Sequence, residues 1–174
     1  MQIHSKVYLP VGRHRACIFS LLLFWCAGLL LGVYSGTAAE DVSLALMRAA
    51  AGSRVSIVNL LAVTVLPFLL SAFAVFFSRQ WLIFPLCFGK AFSFGFCAYA
   101  VCGAFPGAGW LIRFLLLFSD QCFIPVLFWF WIRHIGGQKR NLRWDTAVCL
   151  GVAAVVGSLD HWLISPFLAA LIEI

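Results

Sequence analysis

The sequence predicts an all-α membrane protein: a bundle of five transmembrane helices, N-terminus cytoplasmic, with a short external amphipathic helix between the first and second spans. Three observations lead there. Of 174 residues, 64% are hydrophobic and 10% charged, against about 45–50% and about 25% in a soluble domain, and mean hydropathy is +1.04. A globule of this size cannot hide that apolar excess, because much of any folded surface faces the solvent; the solvent is therefore lipid. Five stretches reach the roughly 20 apolar residues that cross hydrocarbon, and none alternates in the manner of a barrel strand.

The expected spans are residues 16–36, 55–77, 81–105, 110–135 and 146–172, all in one transmembrane domain. The first follows a basic start and ends at Thr37, Ala38 and Ala39, small residues of the kind found at signal cleavage sites. Its apolar core of about 18 residues exceeds the usual 7–15 of a cleaved signal, so it is expected to stay as an anchor. Between spans one and two, Val42, Leu46 and Ala49 share a helical face that excludes Asp41 and Arg48. That pattern suits a helix lying on the outer surface, or a plain helical linker. Gly103 to Gly109 forms a glycine- and proline-rich turn, making spans three and four an antiparallel hairpin. Aromatic residues mark the interfaces, with Trp81 and Trp144 on one side and Trp110 on the other.

Orientation follows from the cations. With the N-terminus inside, cytoplasmic segments hold Lys6, Arg13, Arg15, Arg79, Arg133, Lys139, Arg140 and Arg143, while external ones hold only Arg48 and Arg54. This is the positive-inside pattern, and an odd number of spans leaves the C-terminus outside. The net charge of +6 is thereby accounted for as topology, and no nucleic-acid partner is implied.

In lipid, helices associate through close contact at small residues. Gly28, Gly32 and Gly36 form such a stripe on the first span, to be packed against another span or another subunit of a homo-oligomer; Gly89 and Ser93, with Cys97, offer a comparable face on the third. Pro67, Pro85, Pro125 and Pro166 are expected to kink or break their helices. Charges within spans need partners, since each costs about 2.5–3.5 kcal/mol at mid-bilayer. Lys90 lies roughly 14 Å into span three and Asp120 roughly 20 Å into span four from the same side, a gap a lysine side chain covers by extension. Asp160 lies at similar depth in span five and competes for the same partner. This intramembrane polar cluster reads either as an ion or substrate pathway or as an ion pair that fixes hairpin register.

No catalytic, cofactor-binding or metal-binding constellation is expected. The seven cysteines lie in apolar runs without a Cys-x-x-Cys pair, as small buried hydrophobes do. Ser158, Asp160 and His161 crowd one helix, whereas a triad needs its histidine between nucleophile and carboxylate. The chain is therefore not expected to be an enzyme.

The run Pro85-Leu86-Cys87-Phe88-Gly89-Lys90, then Gly95-Phe96, the glycine-rich turn, Gln121 and Pro125 resembles the stage II sporulation protein M family. The basic tail, a first span ending in Leu-Gly and the external segment before span two fit the same pattern, over about Val7 to Ile135. The chain departs from it at Asp120-Gln121-Cys122, where the family reads Pro-Gln-Asn, and in the order of Gly89 and Lys90. The resemblance implies a five- or six-span scaffold in the cell membrane of a spore former. Its partners would be two peptidoglycan-degrading proteins, stage II sporulation proteins D and P, held during engulfment of the forespore. The runner-up function is a small transporter, or transporter subunit, using Lys90, Asp120 and Asp160.

Overall fold

The computed structural model describes residues 11–42, 45, 57–77, 79–105, 110–135, 141–164 and 166–167. Every regular element among them is helical. In chain order these are α1 (Val11–Ala38), α2 (Ile57–Phe76), a 3-10 turn (Gln80–Leu82), α3 (Ile83–Ala104), α4 (Trp110–Leu116), α5 (Phe118–His134), α6 (Leu142–Leu159) and a π-helical segment (Asp160–Ile164). Most of the segment expected to form a surface helix, residues 41–59, lies outside the described residues, as do the N-terminal tail and Lys139 and Arg140.

Among the described residues, three helices are long and apolar enough to cross a membrane: Arg15–Ala38, Ile83–Ala104 and Leu142–Ile164. A fourth crossing exists if α4 and α5 are one broken span, bent by 61°. The expected second span corresponds to α2, a 20-residue helix with Pro67 inside it.

The 61° bend between α4 and α5 does not fall at a proline. Pro67 and Pro125 lie inside continuous helices, and Pro85 occupies the first turn of α3, where its missing N–H costs nothing. In α2, the Ser71 hydroxyl reaches back to the Pro67 carbonyl at 2.7 Å and accepts the Trp131 indole N–H of α5 at 2.8 Å. The chain bends instead at Leu117 (φ −105°, ψ 10°), a position with no helix breaker. The bend places Asp120 in the first turn of α5, where the free backbone N–H groups favour a carboxylate. At the other end, Asn141 adopts a left-handed conformation (φ 65°) that turns the chain into α6; asparagine tolerates this better than most residues.

α1 packs on α3 along its length, and this is the most extensive helix pair. Gly28 and Gly32 are buried beneath the Phe88 and Phe92 carbonyl oxygens, and Gly36 beneath the Tyr99 ring. Gly95 returns the arrangement under the Leu29 carbonyl. A methyl group at any of the four would collide with these atoms. The Cys87 thiol donates to the Leu21 carbonyl, 3.6 Å away, in the same seam. Residue numbers rise together on both sides, so α1 and α3 run parallel, and the glycine stripe meets another helix of its own chain. Gly89 and Ser93 do not share in this seam. Both are exposed, and a Cβ on Gly89 would meet nothing within 4 Å. The reason is rotational phase: at 100° per residue, Gly95 points well away from Gly89.

The rest of the core gathers α2, α5 and α6 around Phe68, Phe123, Leu127, Phe130, Trp131 and Cys149, all buried. Phe68 meets Phe130 edge-on at 5.0 Å between ring centroids. Trp25 of α1 meets Phe128 of α5 at 4.8 Å, which joins the two halves.

Gly32→Val should force the α1–α3 backbones apart and cost about 1–3 kcal/mol or more. Gly89→Ala should be neutral or gain up to about 1 kcal/mol. Thermal melting of the two purified variants beside wild type checks both; equal losses would contradict the seam described here.

Candidate functional site

Two charged clusters lie between the helices. In the first, the Lys90 ammonium of α3 contacts Asp120 Oδ1 of α5 at 2.5 Å. The two side chains are 4% and 16% exposed, so the pair is shielded from solvent and its Coulomb attraction little screened. Asp160 opens the π segment at the end of α6, half-buried. Its carboxyl group lies within the electrostatic field of Asp120, while the nearby Ser119 hydroxyl is buried without a hydrogen-bond partner among the described residues. Lys90, Asp120 and Asp160 thus converge on one region, and the lysine's direct partner is Asp120. Cys97, one turn beyond Ser93 on α3, lies within the field of the same pair. Ser158 is exposed on the α6 run that leads to Asp160 and His161.

The second cluster stands at the end of the bundle where α5 finishes and α6 begins. Asp145, in the first turn of α6, and His134, in the last turn of α5, are fully buried. Asp145 Oδ2 receives both the His134 ring Nε2 at 2.9 Å and the Arg133 Nε at 2.9 Å. Its other oxygen, Oδ1, is buried with no hydrogen-bond partner among the described residues. The carboxylate sits at a helix N-terminus and the two bases at a helix C-terminus, so each favours the dipole of its own helix. Arg133 also stacks on Trp129, with its guanidinium carbon 5.2 Å from the ring centroid.

Sequence reasoning missed this cluster because it placed Asp145 in a loop, one residue before the expected fifth span. The helix begins at Leu142 instead. The available signal was a base-rich helix end, a Gly136-Gly137 loop and an acid in the following first turn, which is the charge pattern of two antiparallel helix ends.

Among the described residues, no group of three or more histidine, cysteine or acidic side chains is placed to hold a metal ion. No family model, curated protein or solved structure matches the chain.

Lys90→Leu alone should strand Asp120 and destabilise the fold by about 3–5 kcal/mol. The double change Lys90→Leu with Asp120→Leu should recover most of that loss. Melting temperatures of the single and double variants in detergent give the comparison; a double variant no better than the single would mean that the pair is not the partnership it resembles.

Proposed function

We infer that the chain is a non-catalytic integral membrane scaffold, similar in fold and role to the stage II sporulation protein M family. It crosses the cell membrane five times with its N-terminus cytoplasmic. The observation that carries this reading is where the resembling residues are spent. Gly95 lies under a backbone carbonyl of α1, and Lys90 is closed onto Asp120 within the same chain. Residues that a transporter or enzyme turns toward a substrate are here occupied in fastening helix to helix.

The parallel packing of α1 and α3 supports the fifth crossing. The chain between them has to return the length of the bundle, and α2 is the helix available to do so. Orientation rests on the cations: Arg79, Arg133 and Arg143 belong to the same end of the antiparallel α5–α6 pair and the α2–α3 connection, which the positive-inside rule assigns to the cytoplasm. On this reading the outer face meets wall-side partners of the peptidoglycan-degrading kind.

A transport role is the second reading, and Asp160 is what favours it. Lys90 is paired with Asp120, and Asp160 lies within the field of that same Asp120, beside a broken span and a π-helical turn, features that accompany ion pathways in membranes.

Crosslinking the tagged protein in its native cells during starvation, followed by purification in mild detergent, separates the two. Secreted or anchored wall hydrolases should accompany it; recovery of an ATPase, or of the protein alone, would overturn the scaffold reading. The transport reading instead expects a melting temperature that rises with sodium, potassium or proton concentration and a response that Asp160→Asn removes.

A further inference from the structure

Arg133 differs from an ordinary surface arginine in how firmly it is set. Its Nε is bonded to a fully buried carboxylate, Asp145 Oδ2, at 2.9 Å. That carboxylate is itself held by the buried His134. One face of the guanidinium is stacked on Trp129. The side chain is nevertheless 43% exposed. A planar guanidinium held at its inner edge and on one face presents the remaining N–H groups outward as a fork. Such a fork matches two oxygens of a phosphate. Fixing it in advance removes much of the ordering cost that a free arginine meets on binding.

The surroundings specify the anion further. Exposed Trp81 and Trp144 belong to the same end of the bundle, where indole rings sit at headgroup level. Arg79, after α2, and Arg143, in the first turn of α6, are exposed at that end as well. Among the described residues at that end, three guanidinium charges stand against the carboxylate of Asp145, which is already engaged. A zwitterionic lipid would bring its own ammonium against this charge; an anionic one brings only the phosphate. The geometry points to an anionic-phospholipid site at this end of the bundle, with the headgroup phosphate on the Arg133 fork and Arg79 and Arg143 beside it. The site is independent of whether the protein acts as scaffold or transporter.

The test uses the full chain in mild detergent, offered equal phosphatidylglycerol and phosphatidylcholine, with retained lipid counted by native mass spectrometry. Wild type should keep phosphatidylglycerol over phosphatidylcholine by about fivefold or more, the preference expected of even one interfacial arginine. Arg133→Lys keeps the charge and loses the fork, and should reduce that ratio. The Arg79→Gln/Arg143→Gln double variant, altered only at exposed positions, should reduce it too, and it keeps the proposal testable should Arg133 variants fail to fold. Equal retention of both lipids by wild type would overturn the site, as would ratios unchanged in the variants. A melting temperature raised as much by inorganic phosphate as by phosphatidylglycerol would overturn the lipid assignment in favour of a free anion.

Discussion

The close approach of α1 to α3 is the contact on which the rest of the bundle depends. Lipid tails are as apolar as leucine, so burying one apolar helix face on another gains little in a bilayer. What remains is dispersion, which decays within a fraction of an ångström of optimal contact. Glycine permits that contact here: the backbone of α3 lies directly against that of α1 at Gly28 and Gly32, and the favour is returned at Gly95. Because the pair is parallel, the chain between the two helices must run back. Everything placed after α3 is then positioned relative to a rigid two-helix unit.

The remaining helices are held by a different chemistry. α2, α5 and α6 are joined by side chains: the Trp131–Ser71 hydrogen bond, the Phe68–Phe130 edge contact and the His134–Asp145–Arg133 cluster. Edge-to-face aromatic pairs contribute about 0.5–1.5 kcal/mol each, and hydrogen bonds between membrane helices average about 0.6 kcal/mol. No single member of this group is decisive. Their distribution along α5, from Phe123 near its start to His134 at its end, fixes the helix at several heights at once.

The legible and illegible parts of the sequence divide along physical lines. The helical class was readable because composition demands a lipid solvent and the long apolar runs lack the alternation of barrel strands. The stripe of Gly28, Gly32 and Gly36 was readable because it repeats at a period that keeps one face. Its partner was not, since Gly89 and Gly95 look equivalent in a string of letters, and only rotational phase in the packed pair separates them. Pro67 and Pro125 lie inside their helices, while the bend sits at Leu117 among residues that carry no turn signal. Depth counting paired Lys90 with Asp120 across the hairpin and left Asp160, at similar depth, as a competitor; the ammonium meets Asp120.

Lys90 and Asp145 show opposite solutions to the same cost. Each is a charge withdrawn from water, and each has to be met by more than Coulomb attraction alone. Lys90 meets one carboxylate directly, deep between α3 and α5, with a second, Asp160, nearby. Asp145 lies within one turn of a helix end, where unpaired backbone N–H groups, a histidine and an arginine all favour its negative charge. The first arrangement joins the α1–α3 unit to the remaining helices. The second closes those helices on themselves and, through Arg133, carries the order of the interior out to the membrane surface.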